Sequence, residues 1–312
     1  RPACREGRPN ARKTLERTIS RCLEASPEDR FASGAELAEQ LDGCLQLRQA
    51  ERQLPQPPAP LTATLRHPFA WLILLVILPQ VAASVLNIAY NLTQIVSVLN
   101  PEQKQLFQQL VIGYNLFMYP VAIVMFILVV RPVWRCWNAL SGTEPLTDEE
   151  VENARLKALR LPYWTALLTG WGWFPGGFLF PLVIKFGSPP LDWHIMAHLV
   201  ASFYLSGLIA LAYSLCGVQF VVLRGFYPSM WRDTRGYHEK ARQELAPTAA
   251  RLNEIQRLAV SIPLMAAFLL LLLGGNSDMT FRILVASLIA LGLIGSHMAS
   301  AVVRGLSQVI VT

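Results

Sequence analysis

Charged side chains are absent from six stretches of the chain, at positions 67 to 101, 105 to 130, 161 to 184, 193 to 223, 258 to 277 and 283 to 303. Each holds the ~20 apolar residues needed to cross ~30 Å of hydrocarbon, so the pattern predicts six transmembrane helices. Ahead of them, apolar positions recur at helical spacing in two short runs. Ile19, Cys22 and Leu23 form one face, Ser26 and Pro27 interrupt it, and Ser33 begins a second helix carrying Ala35, Leu37, Ala38 and Leu41. Glu36 stands three residues after Ser33, so a capping box is available. The helical pattern runs on through Leu45, Leu47 and Ala50. From Leu54 to Pro60 the run Leu-Pro-Gln-Pro-Pro-Ala-Pro excludes helix and central strand and predicts an extended, semi-rigid spacer. The expected organisation is a helical piece over 1–50, a Pro-rich linker over 51–65 and a six-helix membrane domain over 66–312.

The longer loops between spans also read as helical scaffold. Thr147 is placed to cap a helix starting at Asp148, with Glu150 completing a capping box. Ser229 to Leu245 mixes Trp231 and Tyr237 with charges, the pattern of a helix lying among lipid headgroups. A faint repeat runs through the lead-ins to spans one, three and five: Arg66-His-Pro68, then Ala154 to Pro162, then Ala250 to Leu258 with Pro263 beyond. Three related helical hairpins would produce it, and so would ordinary basic flanks.

Composition agrees with the membrane reading. Charged residues are 15% and apolar ones 53%, against about 25% charged in soluble domains. The net charge of +6 raises the question of nucleic acid, but the basic residues flank apolar spans instead of forming one soluble face, so no nucleic-acid partner is expected. Arg131, Arg135, Arg155, Lys157 and Arg160 crowd the connection between spans two and three. Arg224, Arg232, Arg235, Lys240, Arg242, Arg251 and Arg257 crowd that between four and five, while the alternate loops hold Lys104, Lys185 and Arg282. By the positive-inside rule the rich loops, and with them both termini, are cytoplasmic. The cysteines Cys4, Cys22, Cys44, Cys136 and Cys216 are scattered without a Cys-x-x-Cys pair, which argues for reduced thiols and against a zinc site. The chain opens on Arg1 with no basic and apolar leader, and reads as a fragment of something longer.

Within the first helical piece, Cys22-Leu23, Pro27, Asp29-Arg30-Phe31, Ser33, Leu37 and Leu41 fall in a Cys-Leu-x-x-x-Pro-x-x-Arg-(Phe/Tyr/Pro)-x-Ser arrangement. This resembles the last two helices of the large lobe of protein kinases, most closely bacterial serine/threonine kinases. The resemblance covers about the first fifth of the chain. It implies that Pro27, Leu23 and Leu37 support the lobe's fold, and that Arg30 corresponds to a buried arginine that pairs with a glutamate at the end of the activation segment. It further implies a parent enzyme that uses ATP and Mg²⁺ to phosphorylate Ser/Thr of protein substrates. Phosphoryl transfer by that family needs a Gly-rich loop, a strand lysine, a His-Arg-Asp loop and an Asp-Phe-Gly metal ligand. None of these strings occurs in this sequence, so the fragment itself is expected to lack activity and to hold Arg30 loosely or exposed.

Other candidate chemistry lies in the spans. His194 and His198 are four apart and share a helix face, which is metal-ligand spacing, with Asp192 beside them and His297 as a third nitrogen if span six packs nearby. No Glu follows the first histidine, so the zinc-protease motif is absent, and interfacial residues meeting water are the simpler reading; no metal is assigned. Asn87, Tyr90 and Asn91 in span one, and Tyr114, Asn115 and Tyr119 in span two, are intramembrane polar groups. They serve either as hydrogen-bonding links between helices or as the lining of a ligand pocket. Gly172-Trp-Phe-Pro-Gly176 has the spacing for close helix approach, and Trp171, Trp173 and Trp193 suit interfacial or lipid contact. Asn91-Leu-Thr93 matches a glycosylation sequon but lies too near the membrane to be used as one.

The sequence thus predicts an all-α polytopic membrane protein, the C-terminal part of a membrane-bound serine/threonine kinase. Its membrane domain would serve as anchor, dimerisation element or sensor, with the lipid bilayer and a second copy as partners. The rival is a standalone membrane binding or transport protein, and a weaker third reading is a metal enzyme using His194 and His198.

Overall fold

The computed structural model describes residues 11–53, 67–141, 146–188, 191–231 and 237–273, with scattered positions between 279 and 297. Every regular element among them is helical. Helix α1 (Ala11–Cys22), a 3₁₀ turn (Pro27–Asp29) and α2 (Gly34–Gln53) come first. Then follow α3 (Pro68–Asn91), continued by a π turn over Leu92–Val96, and α4 (Pro101–Ser141). Helix α5 (Asp148–Gly187) leads to α6 (Trp193–Val221), which continues through a π turn (Val222–Phe226) and a single α turn (Tyr227–Ser229); α7 covers Tyr237–Leu273.

Among the described residues four helical stretches are long and apolar enough to cross a membrane: Pro68–Val96, Pro101–Leu140, Asp148–Gly187 and Trp193–Ser229. The chain is therefore an all-α membrane protein. These coincide with the first four charge-free stretches. The fifth, 258–277, falls on α7 as far as Leu273, and its end lies outside the described residues. The sixth, 283–303, lies mostly outside them, as does the Leu54–Pro60 spacer.

The starts of the long helices are written into the local sequence. Pro68 occupies the first turn of α3, where its missing N–H costs nothing. At the start of α4 the Gln103 N–H donates to Asn100 Oδ1 at 2.8 Å and the Asn100 N–H returns a bond to Gln103 Oε1 at 3.1 Å. Thr147 and Glu150 form the expected capping box at α5, with bonds of 3.2 and 2.9 Å. Asp192 caps α6 by accepting the His194 N–H at 3.1 Å.

Helix α6 is the most buried of the four spans. It packs on α3, α5 and α7, and α5 in turn packs on α4. Two apolar layers fill the bundle. One includes Leu72, Val133, Leu161, Val218, Phe226 and Met230; the other, toward the opposite end of the helices, includes Ile95, Phe107, Phe180, Ile184, Leu199 and Phe203. The α5–α6 crossing is close because glycines line it. A methyl group at Gly207 would lie 2.7 Å from the Cβ of Trp173, and one at Gly177 would lie 2.8 Å from the Tyr204 ring. Of the Gly172–Gly176 pair, Gly176 faces Phe203 in this seam, whereas Gly172 has open space where a Cβ would stand. The small-residue signal was thus real but one of its two members does not serve it.

One face of the Ser229–Leu245 segment packs into the bundle: Met230, Trp231, Ala241 and Leu245 are buried, while Glu239, Lys240 and Arg242 are exposed. There Arg155 of α5 lies 3.8 Å over the Trp231 ring and pairs with Glu244 of α7 at 2.7 Å. In the first helical piece, the apolar positions that share a helix face are largely uncovered, with Cys22 and Leu37 half-buried. Ile19, Leu23 and Leu41 are exposed, Leu23 at 77%, while Thr14, Thr18, Gln40 and Cys44 are buried. The hairpin turns its polar seam inward because that seam, with Thr18 Oγ1 3.9 Å from Cys44 Sγ, is what the two helices share.

Candidate functional site

The helix–turn–helix at the front of the chain is held by Arg21, a residue the sequence reading did not single out. Its guanidinium donates to the carbonyls of Asp29 and Arg30, pairs with Glu36 at 3.5 Å and lies 4.3 Å over the Phe31 ring. Arg30 is exposed, and its guanidinium donates to the Glu24 and Ala25 carbonyls at 2.7 and 3.3 Å. Pro27 opens the 3₁₀ turn, and Leu37 is half-buried. The Ser33 hydroxyl accepts the Glu36 N–H at 3.1 Å, but the Glu36 carboxylate returns to the Ala32 N–H at 2.8 Å. The reciprocal cap is therefore closed one residue earlier than expected.

The histidines do not converge. Asp192 caps the helix start, His194 is exposed and stacked on Trp193 with ring centroids 3.7 Å apart, and His198 is half-buried. Nδ1 of His198 shares a hydrogen bond with the Tyr90 hydroxyl, which joins α6 to α3. His297 is exposed. Among the described residues no group of three His, Cys, Asp or Glu side chains is placed to hold a metal.

The feature with the geometry of a binding site is a groove of about 1390 Å³ between α3 and α4, floored by α5. It follows from the packing order: α3 leans on α6 and α4 leans on α5, so the two flank an open channel. Ordinary small-molecule pockets occupy ~300–1,000 Å³, so this one is lipid-sized. Its walls are aliphatic, with Ile77, Val81 and Val85 on α3 facing Ile123 and Ile127 on α4. Arg131 and Trp134 stand at one end, and Asn87, Asn91, Gln108 and Asn115 at the other.

Polar groups at the floor are satisfied. Gln80 donates through Nε2 to Thr169 Oγ1 at 2.9 Å and accepts the Trp173 indole N–H through Oε1 at 2.8 Å. Trp173 lines the groove, whereas Trp171 and Trp193 are exposed. Gln80 was legible as a glutamine in the middle of a charge-free run, yet nothing in the sequence marks its partners. Tyr114 donates to the Gly172 carbonyl at 2.9 Å, linking α4 to α5. The tyrosines Tyr90 and Tyr114 are interhelical links, while Tyr119 is exposed along α4.

The asparagines behave differently. Asn87 and Asn91 are 8% and 5% exposed, and they bond to each other within α3, Asn91 Nδ2 donating to Asn87 Oδ1 at 2.9 Å. That leaves Asn87 Nδ2 and Asn91 Oδ1 buried with no partner. Each such group costs about 1–3 kcal/mol, and hydrocarbon offers nothing to relieve it. Asn115 lines the same groove from α4.

No protein-family model, curated protein or solved structure matches the chain.

Proposed function

We propose that this chain is the C-terminal part of a membrane-anchored, bacterial-type serine/threonine protein kinase. Its first helices would close the kinase large lobe, and its membrane domain of six helices would anchor the enzyme in the bacterial cytoplasmic membrane, with both termini cytoplasmic. The observation that supports this reading is the state of the Cys22–Leu41 hairpin: a 3₁₀ turn forms over Pro27–Asp29, yet Leu15, Ile19 and Leu23 on one face of α1 are exposed. Arg30 rests on carbonyl oxygens at the surface. Both are what the end of a larger lobe offers when the rest of it is elsewhere in the parent chain.

ATP and Mg²⁺ belong to that parent. The residues present do not fit them, since the chain carries no phosphate-cradling loop, catalytic loop or metal-binding aspartate string, and no step of the reaction is assigned to it. The membrane domain acts as anchor, dimerisation element or sensor for the kinase. The test is the reading frame upstream of Arg1. A Gly-rich loop, a His-Arg-Asp loop and an Asp-Phe-Gly motif are expected there; a frame lacking them, or ATP turnover by residues 1–312 alone, overturns the proposal.

A second reading, a membrane binding or transport protein in its own right, draws on the α3–α4 groove and the unmet amide groups at its end.

A further inference from the structure

The groove between α3 and α4 combines two features that ordinary helix packing does not explain. Its aliphatic walls run alongside α3 from Phe69 to Leu92. At 1.5 Å per residue this is roughly 35 Å, a full hydrocarbon thickness. Near its end, Asn87 and Asn91 present one unmet N–H donor and one unmet carbonyl acceptor, both on residues more than nine-tenths buried and both lining the groove.

The donor–acceptor pairing does not depend on how the two amides are turned. Rotating both side chains makes Asn87 the donor within the pair, and still leaves one amide nitrogen and one carbonyl oxygen unpaired. The complementary ligand group must therefore both accept and donate a hydrogen bond. A hydroxyl does this, and so does a secondary amide. Among the described lining residues the only charged one is Arg131, at the other end of the groove, so an uncharged group suits the asparagines.

A transmembrane helix, whether from a partner or from a second copy, fits less well. Its backbone N–H and C=O groups are spent on its own hydrogen bonds, and an apolar face laid into the groove would leave both amides unmet. Bulk acyl chains would do the same. Asn87 stands 19 residues beyond Pro68 in α3, roughly 28 Å along the helix. That is the depth at which the backbone of a lipid begins if Pro68 lies at the opposite boundary.

We infer that the α3–α4 groove binds an uncharged amphiphile, its hydroxyl- or amide-bearing head on Asn87 and Asn91 and its hydrocarbon chain laid along Ile77, Val81 and Ile123. Asn115 and Gln108 on α4 stand near the head, and Arg131 and Trp134 mark the far end of the channel. Binding fills the space between two helices that meet at one end of the groove, where the Phe69 and Trp137 rings pack edge to face. This inference is independent of the kinase reading and holds for a standalone membrane protein equally.

The experiment uses the full chain in phosphatidylcholine nanodiscs. Two probes are compared: a diacylglycerol carrying a photoreactive acyl chain, and its methyl ether, which keeps the acceptors but lacks the hydroxyl donor. The expected result is labelling mapped to peptides of α3 and α4, with the diacylglycerol favoured about tenfold, the change of one to two hydrogen bonds. In the Asn87→Leu/Asn91→Leu double variant that preference disappears while the overall fold, followed by size-exclusion profile, is kept. Val81→Trp retains both asparagines and fills the chain's path, and it should abolish labelling by either probe; it stands in if the double variant does not fold. Equal labelling by the two probes in the unmodified protein overturns the inference, as does a preference that survives Asn87→Leu/Asn91→Leu. Ile77→Cys copies that form a disulfide dimer and exclude both probes would also overturn it, by showing a second copy in the groove.

Discussion

Arg155 and Glu244, 89 residues apart in sequence, form a two-pronged ion pair, Nη2 to Oε1 at 2.7 Å and Nε to Oε2 at 3.1 Å. The pair is buried between the start of α5 and the start of α7, and its free edges are used. The Tyr227 hydroxyl donates to Glu244 Oε2 at 2.9 Å, and the Arg155 guanidinium lies over Trp231. Three segments at one end of the bundle are thereby tied at a single point.

Removing one member of such a pair leaves the other charge buried alone, which typically costs ~3–5 kcal/mol. Arg155→Met and Glu244→Leu are each expected to lower the melting temperature of the detergent-solubilised protein sharply. The double variant should recover most of the loss, because two apolar side chains of similar volume replace a desolvated pair without stranding either partner. A double variant as unstable as the worse single one would show that the pair is not the coupling element.

The α5–α6 seam gives a contrast within one residue type. Gly207→Ala places a Cβ 2.7 Å from the Trp173 Cβ, a contact that neither backbone-near atom can relax away from cheaply. Overpacking of this kind costs about 1–3 kcal/mol. Gly172→Ala meets open space and removes a flexible residue from a helix interior, worth roughly 0.5–1 kcal/mol in its favour. Thermal unfolding should therefore move in opposite directions for the two variants, and a stabilising Gly207→Ala would mean the helices are not pressed together there.

Gln80 bridges Thr169 and Trp173 across the groove floor. Gln80→Leu keeps the volume but strands the Trp173 indole N–H, an expected destabilisation of about 1–3 kcal/mol. Gln80→Glu retains an acceptor for the indole and should lose less than Gln80→Leu. Thermal melts check this; equal losses in the two variants would argue against a bridging role.

The spans were legible in the sequence to the extent that hydrophobic runs and missing charges report them. The four described spans lie where the runs lie, and Thr147, Asp192 and Pro68 start helices for local reasons that a sequence displays. What was not legible is pairing across distance. The asparagines Asn87 and Asn91 look like interhelical links in sequence, yet they bond to each other, because a spacing of four puts them on one face of α3. Tyr90 and Tyr114 look the same and do link helices. Trp231 among charges resembles a headgroup anchor, yet it is buried under Arg155 arriving from α5, while Glu239, Lys240 and Arg242 of the same segment are exposed. Ile19 and Leu23 have helical periodicity, but periodicity states that a face is apolar and says nothing about whether this chain covers it.

That last point sets the relation between the first helices and the rest. The α1–α2 hairpin buries Thr14, Thr18, Gln40 and Cys44, of which only Cys44 is apolar, and exposes Leu15, Ile19, Leu23, Leu41 and Leu45. Its ties are largely carbonyl hydrogen bonds and the half-exposed Arg21–Glu36 pair, and surface pairs contribute ~0–1 kcal/mol. By contrast α5 and α6 bury Leu161, Phe180, Ile184, Leu199, Ile209 and Val218. Local opening free energy follows buried apolar contact, so amide hydrogen exchange of the full chain should be fast over α1 and α2 and slow over the centres of α5 and α6. If the hairpin closes a kinase lobe in the parent, the same amides become slow once the upstream domain is joined to it, since Leu15, Ile19 and Leu23 then gain cover. Protection of α1 and α2 as strong as that of α6 in this chain alone would mean that the hairpin is self-sufficient, and would remove the main structural support for a missing lobe.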